Sequence, residues 1–326
     1  MGKTVKTLYT IGEALIDFIP SNAAVPLEEV EAFSPKVGGA PCNVAAAYAL
    51  HTGKSTLLTA VGNDAFGNKI IETLKACRVD TSRIVKKEDA KTGLAFVGLD
   101  HTGDRSFSFY RSPSADMLYG ENDLPDALDD AFALHFCSVA LKESPMKDAH
   151  KKAIALAKKA GAFVSFDVNL RFSLWDDETK LYRTVWEFLP LADIVKLSEE
   201  EVEFVTGEKS LVRAAKTLLF HCRYVIITQG KNGATFYYTD ESEKDFGMRS
   251  LHVTPPEMQS VDTTGAGDAF IAAFLFLLSE QEDPKALPDE DKLEQLLYYS
   301  CRFATATTQY HGAIDSYRNV FKLSHE

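Results

Sequence analysis

Val261-Asp262-Thr263-Thr264-Gly265-Ala266-Gly267-Asp268-Ala269-Phe270 carries a glycine-rich turn straight into an apolar helix, Ile271 to Leu278. Backbone N–H groups at a helix start have no intrahelical partner and carry roughly half a positive charge. Small residues let an anion come close to that backbone. An anion cradle gains nothing from a neighbouring carboxylate, so Asp268 points to proton abstraction beside a phosphate. The plainer alternative is a turn with Asp268 as helix cap. A cap needs one such residue, whereas this stretch holds two glycines, two threonines and Asp262 as well.

Composition narrows the partners. The chain has 326 residues, 45% hydrophobic and 25% charged, the make-up of a soluble globular protein with a sizeable core. A net charge of −12 argues against nucleic acid as the main partner and leaves room for a small phosphorylated ligand. Cys42, Cys77, Cys137, Cys222 and Cys301 form no Cys-x-x-Cys pair and are odd in number, which predicts reduced thiols and a cytoplasmic setting. The histidines show no metal-ligand spacing. Met1 to Thr7 is polar and basic with no apolar signal core behind it, and no window of about 18 apolar residues predicts a membrane span.

Strand and helix patterns alternate along the chain. Strands are predicted at Leu8–Ile11, Ser55–Val61, Ala133–Val139, Phe163–Asp167, Ile194–Leu197, Tyr224–Thr228 and Ala234–Tyr238. Helices are predicted at Asn43–Leu50, Asn68–Cys77, Met146–Ala160, Thr179–Phe188, Glu199–Thr206 and Leu211–Phe220. This rhythm predicts an α/β fold with a mainly parallel sheet covered by helices. Ala14 to Val37 and Thr92 to Arg111 break it with strand-like runs, the second around a turn at His101-Thr102-Gly103-Asp104. They read as a small second sheet over the main one, a lid, or as ordinary edge hairpins. Ser279 to Asp291 is acidic and reads as a surface loop.

Several polar residues stand in unexpected company. Asp17 sits in the apolar run Leu15-Ile16-Asp17-Phe18-Ile19, as an edge-strand charge or as a ligand for sugar hydroxyls. Gly38-Gly39-Ala40-Pro41-Cys42-Asn43 reads either as a tight turn with a helix cap or as close backbone and an amide offered to a polar ligand. Asp167, Asn169 and Arg171 would share one face if their strand continued, either as a site or as an Asp167–Arg171 salt bridge. Arg111, in Phe109-Tyr110-Arg111, is a further cation from the presumed lid. Thr228-Gln229-Gly230-Lys231-Asn232-Gly233 is a turn, either a plain hairpin turn before the strand Ala234–Tyr238 or the border of a nucleotide. No Gly-x-Gly-x-x-Gly follows the first strand and no P-loop occurs, so a phosphate enzyme here uses another design.

These residues resemble the ribokinase-like (PfkB) sugar kinase family over nearly the whole chain. Gly38-Gly39-Ala40-Pro41-Cys42-Asn43-Val44-Ala45 and Asp262-Thr263-Thr264-Gly265-Ala266-Gly267-Asp268 carry the resemblance. Within it the chain is most similar to fructokinases, through Gly12-Glu13-Ala14-Leu15-Ile16-Asp17, Phe109 to Met117, Phe166 to Arg171 and Leu174-Trp175. The 2-keto-3-deoxygluconate kinases share the tyrosine-arginine and aspartate-asparagine-arginine elements and are the alternative. The resemblance implies a three-layer sandwich over 1–326 with a β-sheet lid from roughly 14–37 and 92–111. It implies ATP-dependent phosphorylation of fructose, Asp268 as base, and Gly265, Ala266 and Gly267 as an anion hole. Asp17, Gly38, Gly39, Asn43, Phe109, Arg111 and Arg171 would serve the sugar. Ser198, Glu201, Thr228, Gly230 and Gly233 would serve the nucleotide, with Glu201 near Mg²⁺. Asp262, Thr264 and Ser316 would hold a monovalent cation of the potassium type. Lids of this kind pair between subunits, so a homodimer through the lid is expected.

Overall fold

The computed structural model describes residues 7–20, 26–51, 53–99, 105–240 and 247–323. The turn expected at His101–Asp104 and the basic start before Thr7 lie outside them. The first half supplies β1 (Thr7–Ile11), β2 (Leu15–Pro20), β3 (Phe33–Gly38), α1 (Ala40–Leu50), β4 (Lys54–Gly62), α2 (Ala65–Ala76), β5 (Ile84–Lys87), β6 (Gly93–Leu99), β7 (Arg105–Tyr110), β8 (Ala131–Cys137) and α3 (Pro145–Lys159). There follow β9 (Phe163–Asp167), α4 (Glu178–Phe188), β10 (Ile194–Ser198), α5 (Glu199–Thr206), α6 (Leu211–Leu219), β11 (Tyr224–Thr228), β12 (Ala234–Asp240) and β13 (Gly247–Val253). The chain ends on α7 (Ala266–Ser279), α8 (Glu290–Thr307) and α9 (Ala313–Leu323).

Among the described residues, nine strands form one sheet in the order β13-β12-β11-β10-β9-β8-β1-β4-β5. Every pairing from β11 to β5 is parallel; β12 and β13 add an antiparallel edge. Successive side chains of a strand point to opposite faces, and both faces here are covered. In β11, Tyr224 and Ile226 join one apolar cluster with α1, α7, α8 and α9, while Val225 and Ile227 join the other with α3 to α6. The result is a three-layer α/β sandwich, as expected. Fully burying one such aliphatic or aromatic side chain contributes about 1.5–3 kcal/mol.

Boundaries differ from expectation where local chemistry allowed two readings. Helix α1 begins at Ala40, because a proline in the first helical turn has no N–H to lose there. Strand β8 stops at Cys137, and Ser138–Ala140 turns as a 3₁₀ segment. The sequence reading assigns no element to β5, β13, α8 or α9. Helix α8 nonetheless buries Leu293, Leu296, Leu297, Ser300 and Cys301, a helical spacing. The acidic stretch after α7 is shorter than expected, since α7 keeps Ser279 and α8 takes Glu290.

The irregular segments build a second sheet, in the order β3-β2-β6-β7. Its β2–β3 and β6–β7 pairs are antiparallel and β2–β6 is parallel. Phe18 and Phe96 stack at 4.7 Å within it, and Phe18 meets Phe66 of α2 edge-on at 5.7 Å. Lys36 of β3 bonds Asp315 of α9 at 2.7 Å. These contacts hold the small sheet beside the carboxyl ends of the large one.

Candidate functional site

Strands β1 and β8 are neighbours, yet the chain leaves β1 toward β4 and leaves β8 toward β9, in opposite directions across the sheet. Open α/β sheets bind ligands in the crevice this reversal creates at the strands' carboxyl ends. A cavity of about 530 Å³ lies there. Glu13 and Val139 line it from beyond β1 and β8, and Asp167, Ser198 and Thr228 from the ends of β9, β10 and β11. Asp17, Phe109, Gly39, Asn43, Arg171, Gly265, Gly267 and Asp268 complete it from the small sheet, α1, the loop after β9 and α7.

Asp268 is not a helix cap. Gly265 occupies that position with φ 77°, and Asp268 is the third residue of α7, only 8% exposed. Its Oδ2 accepts a hydrogen bond from Asn43 Nδ2 at 2.8 Å. Burial pushes its carboxyl up to about 7; Asp167 adds to this, while the Asn43 bond, Lys196 and Arg171 pull it down. A carboxyl so tuned is poised to take a proton near neutral pH.

The turn before Asp268 requires its glycine. A Cβ on Gly265 would sit 2.4 Å from Tyr317 Oη and 2.5 Å from Ala313 Cβ, and the Gly265 carbonyl accepts from Tyr317 at 2.7 Å. The regular ladder of α7 begins with Ala269 N–H to Gly265 O at 2.8 Å, so the N–H groups of Gly267 and Asp268 precede it. Ala266 differs from its neighbours. Its N–H donates to Thr263 O at 3.2 Å, and its side faces a second cavity. That cavity, about 310 Å³, is bordered by Thr228, Gly230, Gly233, Pro255, Met258 and Phe270. It shares Thr228, Gly230, Thr263 and Gly267 with the first. The helix start therefore stands between a polar chamber and a mainly apolar one.

On the polar side, Asp17 is half-buried, and burial with Glu13 nearby pushes its carboxyl up to about 7 against the pull of Arg171. Gly38 does not line the cavity. A Cβ there would fall 2.0 Å from Asp17 Oδ2, so the missing side chain makes room for that carboxylate. Strand β9 ends at Asp167 and Asn169 turns with φ 39°, so no common strand face exists. The turn still delivers Asp167, Asn169 and Arg171 to the cavity. Asp167 pairs with Lys196 at 2.7 Å rather than with Arg171, whose Nη1 donates to Leu170 O at 2.8 Å.

Arg111 is not brought into the polar chamber. It lies just past the end of β7, buried, ion-paired with Asp116, and donates to Val139 O at 3.4 Å. Burial by itself would lower its pKa, but Asp116 and Glu13 outweigh that and hold it charged. Ser198 and Glu201 form a capping box at the start of α5. Glu201 Oε2 accepts from Ser198 N–H at 2.8 Å and Oε1 from Leu170 N–H, so main-chain donors occupy both oxygens. Burial, aided by Asp167, pushes the Glu201 pKa up.

Asp262 joins two loops, accepting from Thr264 N–H at 2.8 Å and Gly312 N–H at 2.9 Å. Ser316 is buried close by and donates to Ala313 O at 2.6 Å. Among the described residues no group of three His, Cys, Asp or Glu side chains is arranged for a metal ion.

Sequence reasoning passed over Glu13 and Lys196. Glu13 is buried, its Oε1 accepts from Ala40 N–H at 2.8 Å, and burial pushes its pKa up despite Arg111. Lys196 is a charge inside the apolar strand Ile194-Val195-Lys196-Leu197, the same signal that singled out Asp17.

The chain matches the profile of the pfkB family carbohydrate kinase over residues 5–319. It is similar to fructokinase-2 of Solanum lycopersicum, 38% identical over 313 residues that cover 94% of this chain and 92% of that one. Its fold is similar to a double mutant of the Vibrio cholerae O395 fructokinase in fructose, ADP and potassium ion bound form. That likeness has a TM-score of 0.85 at 30% identity and covers 100% of both chains. A Xylella fastidiosa fructokinase with bound ATP gives a TM-score of 0.83 at 29% identity, covering 99% and 100%.

Proposed function

The chain belongs to the pfkB family of carbohydrate kinases, and from that premise we propose that it transfers the γ-phosphoryl group of ATP to fructose, giving fructose 6-phosphate. The observation that carries this reading is Asp268, a buried carboxyl pushed up to about 7, which lines the polar chamber next to Gly267, a residue both chambers share. A sugar in the polar chamber meets Asp17, Gly39, Asn43 and Arg171, whose acceptors and donors suit hydroxyl groups. The nucleotide base takes the apolar chamber by Thr228, Gly230 and Gly233, and its phosphates reach the Gly265–Gly267 turn with the Mg²⁺ they bring. Asp268 takes the proton of the attacking hydroxyl, while N–H groups of the turn meet the charge that develops on the phosphoryl oxygens. The small sheet, as a lid over this crevice, excludes water.

The fate of Arg111 favours a neutral sugar over 2-keto-3-deoxygluconate. A substrate carboxylate would seek both arginines, and Arg111 is already paired with Asp116 and does not line the chamber. ADP release measured across a panel of sugars tests the proposal. Turnover with 2-keto-3-deoxygluconate well above that with fructose would sink it. A potassium-type cation between Asp262 and Ser316 belongs to the same reading; full activity in buffer whose only monovalent cation is tetramethylammonium would remove it. A cytoplasmic setting rests on the five free thiols and is tested by locating a tagged chain. Among the described residues no helix is long and apolar enough to cross a membrane.

A further inference from the structure

Beneath the Gly265–Gly267 turn lies an ion pair that the mechanism above does not use. Lys196, in the middle of β10, is 5% exposed, and its ammonium is 2.7 Å from Asp167 Oδ2 at the end of β9. Both side chains reach the polar chamber. Asp167 Oδ1 is buried and makes no hydrogen bond. Desolvating two charges is costly and is often not recovered by their attraction, so such a pair is weak evidence of a purely structural purpose.

Its position supplies another purpose. A Cβ built on Gly267 would lie 3.2 Å from Lys196 Nζ. The ammonium thus stands against the backbone of the cradle, and the absent side chain leaves the way between them open. Asp167 occupies one of three ammonium donors, which leaves two for another acceptor. A helix start offers about half a charge to an anion, and a γ-phosphoryl group carries more than that.

We propose that Lys196 is a catalytic residue of this kinase, its ammonium touching the γ-phosphoryl group from below the Gly265–Gly267 turn, with Asp167 as the positioning residue that holds it there. In the transfer, Asp268 accepts the hydroxyl proton and the sugar oxygen bonds to phosphorus. The bond from phosphorus to the bridging oxygen breaks, and ADP leaves with that electron pair. Lys196 exchanges no proton and follows the group across. This rests on the kinase reading and does not depend on which sugar is used.

Binding separates contact from scaffolding. ADP and the β,γ-methylene analogue of ATP, each with Mg²⁺, are titrated calorimetrically into the wild type, Lys196→Met, Asp167→Asn and the double variant. Lys196→Met is expected to weaken the analogue by about tenfold or more while ADP stays within about twofold, since only the analogue carries the γ-phosphoryl group. The same selective loss between Asp167→Asn and the double variant, where no lone buried carboxylate remains, excludes misfolding as the cause. Equal weakening of both nucleotides, or of neither, in the double variant relative to Asp167→Asn would overturn the proposal. A wild type that binds neither nucleotide would instead overturn the kinase reading.

Discussion

Asn43 Nδ2 donates to Asp268 Oδ2 at 2.8 Å across 225 residues of sequence. The bond ties the first turn of α1 to the first turn of α7. It favours the ionised carboxylate and so opposes the burial that pushes Asp268 up to about 7. Asn43 Oδ1 is buried with no partner, and in the proposed function it is the acceptor a sugar hydroxyl would meet.

Asn43→Ala should therefore shift the pH profile as well as reduce activity. A base works when ionised, so kcat/KM of the wild type is expected to fall as pH drops below about 7. Without the Asn43 donor the neutral carboxyl gains, and the acid limb should move upward by roughly one pH unit. Profiles measured on both proteins check this; an unmoved limb would detach Asp268 from the titration.

Asp268→Asn should lower kcat by about 10²–10⁴. The same change should stabilise the fold at high pH. The folded carboxyl titrates near 7 against an ordinary value of 3.8. Below pH about 4 the group is neutral in both states and adds no penalty. As pH rises toward 7, the unfolded chain ionises first and the wild type loses stability. Melting curves should show the variant ahead at pH 8, by on the order of a few kcal/mol, with the gap closing toward pH 4. Near-normal turnover would mean that the base is another group.

Arg171→Ala should raise the sugar KM by about tenfold or more and leave the ATP KM within about threefold. The guanidinium lines the polar chamber and does not line the apolar one. Steady-state kinetics with each substrate varied in turn decides it; an unchanged sugar KM counts against the assignment.

Gly265→Ala tests the turn itself. The new Cβ meets Tyr317 and Ala313, and φ 77° disfavours any side chain. A strain of about 1–3 kcal/mol should lower the melting temperature, and kcat should fall with it. Wild-type kcat in this variant would show that the turn need not hold its shape for transfer.

The small sheet presents Tyr110, 64% exposed, next to Phe96 at a ring distance of 5.3 Å. If two lids pair, Tyr110→Glu should shift the mass measured by light scattering from dimer to monomer. A wild type that is monomeric at every concentration tested would end that proposal.

Much of this architecture was legible because parallel strands buried on both faces form short apolar runs, as in Tyr224–Thr228, whose predicted bounds match β11. Helix α8 carried a readable spacing at Leu293, Leu296, Leu297, Ser300 and Cys301, and the sequence reading passed over it. Arg111 reads in the sequence as a cation between aromatic and polar residues; its pairing with Asp116, five positions on, shows only in the structure. Lys196 carried a signal that was passed over, but its pairing with Asp167 was not legible, because the two stand on neighbouring strands 29 residues apart in sequence.

The glycine-rich turn, the helix it starts and the carboxylate within it were determined by the sequence alone, because turn chemistry and helix ends act over a few residues. Only the tertiary structure decided what that carboxylate meets. It brought Asn43 to Asp268, set Lys196 under Gly267 and paired Arg111 with Asp116. The physical reason is that desolvation and charge–charge energies depend on distance through space, and the fold sets that distance between strand ends and helix starts far apart in the chain.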